Sequence, residues 1–323
     1  MKGFRRRRGS EAGFTLIELM ISLVMFALAI AGVLGVAVSM VQGYRESRMV
    51  MAAENSVRVP MEFIADALRQ TSPGVSTGNI QDTGGTCTTS ALTVSSVSGP
   101  DTLDVIYAAG SVVTSSRTDY TAATPTSLDV ADASQLVAGD FVVITDLNQG
   151  HLLEIASIAG NVLTLVSPAC AITLPTGGYL AGSIVVRARH ATFSIGTVDG
   201  IPALMFDPDA TGPSPAEPLA EGVEDFQVAI GIDFTGVAGT IDELGAGADD
   251  DDWVYNVAGD TYPVTGTPRA LRVTLVARTG WVPGVTGSFF RPDVEDRAAG
   301  AADGLRRRIL RSTIELRNLG GSP

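Results

Sequence analysis

The sequence predicts an α+β protein: a long N-terminal helix, apolar in its first half and amphipathic in its second, packed on an antiparallel β-sheet head with a β-rich insertion. Three observations lead there. Residues 14–41 form an apolar run with one charge, Glu18. Met49, Ala53, Val57, Met61, Ile64 and Leu68 then recur at spacings of three and four, the period of one helix face. From about Val75 onward Gly, Ser, Thr and Val dominate, in short alternating runs separated by turn residues.

The helix is expected over residues 14–70. At about 1.5 Å per residue its first part, 14–41, spans roughly 42 Å, more than the roughly 30 Å core of a bilayer, so it is read as a single transmembrane pass. The preceding leader, residues 1–13, carries Lys2, Arg5, Arg6, Arg7 and Arg8. The positive-inside bias keeps such a leader cytoplasmic and places the rest of the chain outside. In the amphipathic part, 42–70, Arg45, Glu46, Arg48, Glu54, Arg58, Glu62, Asp66 and Arg69 lie off the apolar stripe. Pro60 falls inside the pattern and is expected to kink it, and Gly32 and Gly35 to loosen the membrane half. Thr71-Ser72-Pro73-Gly74 is a stop signal, so the helix should end near Gln70.

Residues 71–323 are read as a periplasmic, β-rich globular head. Strands are expected at 103–107, 141–145, 152–158 and 162–166, with Gly160-Asn161 as a hairpin turn. The block 127–165 reads as a small self-contained β unit, and about 110–180 as an insertion in the head. The clearest alternation is in the last third. Phe226, Val228, Ile230 and Ile232 alternate with Gln227, Ala229, Gly231 and Asp233. Leu271, Val273, Leu275 and Ala277 alternate with Arg272, Thr274, Val276 and Arg278, and a similar pattern runs from Leu310 to Leu316. Each is expected to be half-buried, its apolar face covering the helix stripe.

The 323 residues carry a formal charge of −13; five leader cations against Glu11 make +4 of that total, leaving −17 for residues 14–323, whose basic residues are all arginines. Such acidity argues against general nucleic-acid binding, which phosphate attraction dominates; solubility explains it as well. The two cysteines, Cys87 and Cys170, belong to no CxxC motif. An oxidising periplasm favours a Cys87–Cys170 disulfide, tying the early head to the end of the insertion; two separate buried thiols are the alternative.

Gly13-Phe14-Thr15-Leu16-Ile17-Glu18-Leu19, between a basic leader and a long apolar run, resembles the N-terminus of type IV pilins and type II secretion pseudopilins. An ordinary secretory signal would be cut after its apolar core, whereas this motif places the cut before it. The resemblance implies a type IV pilin-like fold, cleavage by a prepilin peptidase between Gly13 and Phe14, and N-methylation of Phe14. It also implies an assembly contact from Glu18 to the N-terminal amine of a neighbouring subunit. A carboxylate this deep in an apolar helix costs roughly 2.5–3.5 kcal/mol on insertion scales, so it calls for a partner. Residues 219–228, 270–278 and 308–318 are further similar to the PilW family of minor pilins, and share much with J-type pseudopilins; residues 75–215 resemble nothing that can be named.

That resemblance implies a structural role, not an enzyme. The expected protein is a minor pilin in a tip complex that primes pilus assembly and presents a large adhesin of the PilY1 kind. Its partners would be other minor pilins, the major pilin, that tip adhesin, the prepilin peptidase and the inner-membrane assembly platform. It would sit in the inner membrane before assembly and in the pilus afterwards. The principal alternative is a J-type minor pseudopilin of a type II secretion system. A DNA-binding competence subunit sits poorly with the acidic chain, and a signal-anchored periplasmic enzyme would need a catalytic cluster; no HExxH, GxSxG or Walker motif is present.

No cofactor is expected. Asp249, Asp250, Asp251 and Asp252 could offer oxygens to calcium, but their spacing lacks EF-hand alternation, so a solvated acidic loop is the favoured reading. Asp293, Glu295 and Asp296 make a weaker acidic cluster. His151 and His190 are far apart in sequence. Arg306-Arg307-Arg308 could meet acidic partners or lipid headgroups, or start a strand beside local acids. Trp253 and Trp281 could mark a contact surface or a core.

Overall fold

The computed structural model describes residues 13–84, 87–96, 98–210, 214–232, 241, 252–260, 268–279 and 289–319. The chain divides into two compact units, Met1–Met49 and Val50–Pro323. Among the described residues one helix, α1 (Leu16–Arg69), is followed by sixteen strands. In chain order these are β1 (Ile80–Asp82), β2 (Leu92–Ser95), β3 (Thr102–Ser115), β4 (Ser127–Asp129), β5 (Phe141–Thr145), β6 (Gly150–Ala159), β7 (Val162–Leu165) and β8 (Ile184–Val198). Then come β9 (Ile201–Asp207), β10 (Glu217–Glu221), β11 (Val223–Ile232), β12 (Trp253–Val254), β13 (Pro268–Arg278), β14 (Phe289–Phe290), β15 (Ala302–Asp303) and β16 (Arg307–Glu315).

From Ala53 onward α1 is amphipathic. Ala53, Val57, Met61, Ile64 and Leu68 are buried, as the spacing predicts, joined by Ala65 and Ala67. Pro60 is buried within the helix, which continues past it to Arg69. The end is tightened by bonds from the Gln70 and Thr71 amides to the Ala67 and Leu68 carbonyls. Ser72 then turns left-handed, at φ 57°. The last carbonyls are not left bare: Ala108 N–H donates to Gln70 O at 3.0 Å and Asn318 Nδ2 to Thr71 O at 2.9 Å.

The buried stripe packs on a four-stranded antiparallel sheet, in order β12-β11-β13-β16. Phe226, Val228, Ile230, Leu271, Val273, Leu275 and Ile314 share one cluster with the helix. Leu103, Val105 and Phe193 from a second sheet join that cluster. The long helix packed on an antiparallel, sheet-rich head is the fold class read from sequence.

The second sheet has ten strands, and β8 organises it. On one side β8 pairs with β3. On the other it pairs first with β5, through residues 184–188, then with β9, through residues 192–198. A separate apolar cluster of Tyr120, Leu128, Val142, Leu153, Leu163 and Tyr179, among others, fills the space beneath β4 to β7.

Two expectations need correction. The block 127–165 is not self-contained: β5 and β6 are laddered into the ten-stranded sheet through β8, because the long β8 offers an edge that the short strands lack. Within the block the hairpin does fall at Gly160-Asn161, with Ala159 opposite Val162 and Gly160 at φ 63°, the sign a type II′ turn needs at its first central residue. The strands of the last third are also not all half-buried. Gln227 and Ala229 on β11 and Thr274 and Val276 on β13 are fully buried, although they face away from the helix. Residues 289–303 fold over that outer face, and Glu295 there accepts from Arg272 and Thr274.

Candidate functional site

The residues singled out by the N-terminal motif lie at the start of α1. Thr15 caps the helix. Its hydroxyl donates to Glu18 Oε2 at 3.1 Å, its N–H donates to the same oxygen at 3.4 Å, and Glu18 N–H donates back to Thr15 Oγ1 at 3.3 Å. This is a capping box, the reciprocal arrangement that satisfies two of the bare amides of a first turn. A carboxylate there also faces the positive end of the helix dipole. Oε1 of Glu18 takes no part in the cap. One turn on, Ser22 Oγ donates to Glu18 O at 2.6 Å.

Gly13 and Phe14 precede the cap and are exposed, Phe14 by 79%. A Cβ added at Gly13 would meet nothing within 4 Å. This chain's own packing therefore does not require a glycine there. Beyond the cap, every residue from 16 to 45 is exposed, although Glu18 is the single charge between Phe14 and Tyr44. With a mean hydropathy of 2.6 over its best window, α1 is long and apolar enough to cross a membrane. Thr15 is the functional residue that sequence reasoning passed over. Its signal was present, since Thr-x-x-Glu before an apolar run is a capping-box signature.

The other candidates resolve differently. Cys87 and Cys170 form a disulfide, with Cα atoms 6.0 Å apart. Asp249, Asp250 and Asp251 lie outside the described residues, as does Trp281. Asp252 is fully buried, so that end of the acidic run is not a solvated loop. Among the described residues no group of three or more His, Cys, Asp or Glu side chains could hold a metal.

His151 and His190 sit in the second sheet with separate partners. His151 Nδ1 is 2.7 Å from Tyr179 Oη and Nε2 is 3.0 Å from Gln81 Oε1. The Gln81 oxygen can only accept, so Nε2 carries the proton and Nδ1 receives the Tyr179 hydroxyl. Burial pushes the imidazole down to about 4, against a weaker upward pull from Asp146, so it stays neutral. His190 Nδ1 lies 3.2 Å from Asp82 Oδ2. These are satisfied core histidines.

The arginine run starts β16. Arg307 pairs with Glu224 and Asp303, which holds the Asp303 carboxyl below the usual carboxylate range. Arg308 meets Glu54 of α1 at 3.1 Å, and Arg306 lies 5.0 Å over the Phe289 ring. Trp253 is buried beneath Arg272, whose guanidinium is 4.3 Å from its ring centre.

Residues 8–34 match the prokaryotic N-terminal methylation motif. Among solved structures, the chain is similar to a type IV-like pilin, TTHA1219, from Thermus thermophilus, at 13% identity and a TM-score of 0.38, over 83% of this chain and 98% of that one. No curated protein matches. The motif match covers the cap and the first part of the apolar helix, and so defines the class of N-terminus this protein carries.

Proposed function

We propose that the chain is a minor pilin of a type IV pilus machine, held in the inner membrane by α1 and processed between Gly13 and Phe14. The observation that carries this reading is the capped, fully exposed apolar helix start, lying within the stretch that matches the methylation motif. Gly13 serves a peptidase pocket, since its own fold makes no demand for glycine. Phe14 would become the methylated N-terminus. Glu18, with Oε1 outside the cap, would receive the N-terminal amine of a neighbouring subunit.

In hydrocarbon an ion pair must have good geometry to offset desolvation. Its role is therefore register: each subunit enters at the axial step where amine meets carboxylate. The head would join other minor pilins at the pilus tip, prime polymerisation of the major pilin and present a PilY1-like adhesin. A preformed tip supplies the first lateral helix contacts, so later subunits add to an existing template. The energy would come from the cytoplasmic assembly motor. The reading requires no cofactor, calcium included, and no nucleic acid.

The test is surface pilin in sheared fractions from a deletion strain, with and without the retraction motor. Pili that vanish and then return when retraction is also removed support priming. Unchanged pili with exoproteins trapped in the periplasm would instead assign the chain to type II secretion as a J-type pseudopilin. In the same strain, Gly13→Leu should leave the leader attached, visible as a slower band on a gel.

A further inference from the structure

The four-stranded sheet ends at β16, and no other described strand pairs with the far side of it. Nine residues long, β16 runs beside β13 in unbroken register, with neither a bulge nor a proline. Thr279 N–H donates to Arg306 O, and Leu316 N–H to Arg269 O, each between residues that stand opposite in that register. Backbone groups of an antiparallel pair alternate between facing the partner and facing away. The even-numbered residues of β16 therefore face β13, and Arg307, Ile309, Arg311, Thr313 and Glu315 aim their N–H and C=O groups outward. Among the described residues none of these outward groups has a hydrogen-bond partner. Such an edge is a template for another strand unless something blunts it. Elsewhere the blunting is visible: β10, at the rim of the large sheet, carries Pro218 and a register shift beside it, and β12, at the other rim of the small sheet, has two residues.

The side chains along β16 narrow the partner. Three exposed arginines, Arg308, Arg311 and Arg317, stand against one exposed acid, Glu315, a local charge of +2 on a strongly acidic chain. Arg308 and Arg311 reach Glu54 and Glu295, yet half of each side chain stays open to solvent. Ile309, between them, is 48% exposed.

We propose that β16 is a docking edge for an extended segment of a different protein, which adds to the small sheet as a fifth strand. That segment has an apolar residue beside Ile309 and acids beside Arg308 and Arg311. Main-chain hydrogen bonds supply the hold in such strand addition, and side chains supply the choice. Opposite charges across a ladder stabilise it and like charges oppose it. A second copy offering its own β16 would bring the same local +2 against this one. The inference concerns the head alone and holds for whichever machine the chain serves.

The first test is amide hydrogen exchange on the full chain in detergent, resolved to single residues. The Leu310, Ser312 and Ile314 amides should be protected, and those of Ile309, Arg311 and Thr313 at least about tenfold less so. Equal protection would mean that the chain already covers this edge, and overturns the proposal. The second test places a photo-crosslinking side chain at Thr313 in cells. The expected adduct joins it to one extended, acidic segment of another protein, mapped by mass spectrometry. Ile309→Pro removes an outward N–H and no bond to β13, a change that edge strands tolerate. The head should then melt as the wild type does, while the adduct falls at least about tenfold, as pairing through the backbone requires. Glu315→Pro provides the same comparison should the first variant fold poorly. No adduct, an adduct to a second copy alone, or an adduct undiminished in a folded proline variant overturns the proposal.

Discussion

The two ends of α1 are both helical and both rich in apolar side chains, yet they meet different surroundings. Up to residue 45 every described side chain is exposed. From Ala53 to Leu68 the stripe Ala53, Val57, Met61, Ile64 and Leu68 is 6% exposed or less. The first part is apolar all round and needs an apolar medium on every side. The second is apolar on one side and finds its partner in a sheet of the same chain. The difference separates assembly from folding: a change in the first part should alter where the protein goes, and a change in the second whether its head holds together.

The largest effect expected on that comparison comes from Glu18→Ala. Cleavage should proceed, while incorporation into sheared pilus fractions is lost and the melting of the head is unchanged. Normal incorporation would remove Glu18 from the assembly role. Leu68→Ala should do the reverse. Deleting a fully buried leucine side chain costs about 2–5 kcal/mol, read as a lower denaturation midpoint of the head with leader processing intact. An unchanged midpoint would mean that the helix stripe does not hold the sheet.

A pH effect should belong to the head alone. His151 is depressed from 6.5 to about 4 by burial, so its contribution is present above 6.5 and lost as pH falls toward 4. The loss should be no more than about 3 kcal/mol. Asp101, pushed up to about 7 by burial, acts in the opposite direction over nearly the same interval, so Asp101→Asn should expose the His151 limb as a rise in stability with pH. A flat profile in that variant would show His151 contributing nothing. The smallest effect is expected from Thr15→Ala, which removes the cap at a cost of about 1 kcal/mol. It should increase amide exchange in the first helical turn and leave the head untouched.

Much of this was legible in the sequence because it depends on local spacing. The stripe from Ala53 to Leu68 needs only a 3.6-residue period, and the stop after Arg69 only the turn-forming run Thr71-Ser72-Pro73-Gly74. The alternation in β11 and β13 correctly marked which side chains meet the helix. It was silent about the other face, because Gln227 and Thr274 look solvent-directed until Gly99 meets the first and Glu295 the second. Glu295 is likewise one acid in a modest cluster by sequence, and becomes the acceptor for two arginines only when β13 and β16 are laddered together. The same holds for Asp101, which meets the charges of Asp225 and Asp296 although both lie more than a hundred residues further along the chain.

The sequence by itself determined the helix, its membrane-length apolar part, the motif at Gly13 to Glu18 and the β character of the head, since each rests on residues close together in the chain. Only the tertiary structure decided that β8 joins the block 127–165 to the rest of its sheet, that the small sheet is covered on both faces, and which arginine meets which acid. Those outcomes depend on contacts between distant segments, where many pairings satisfy the same local pattern and packing, burial and charge select among them.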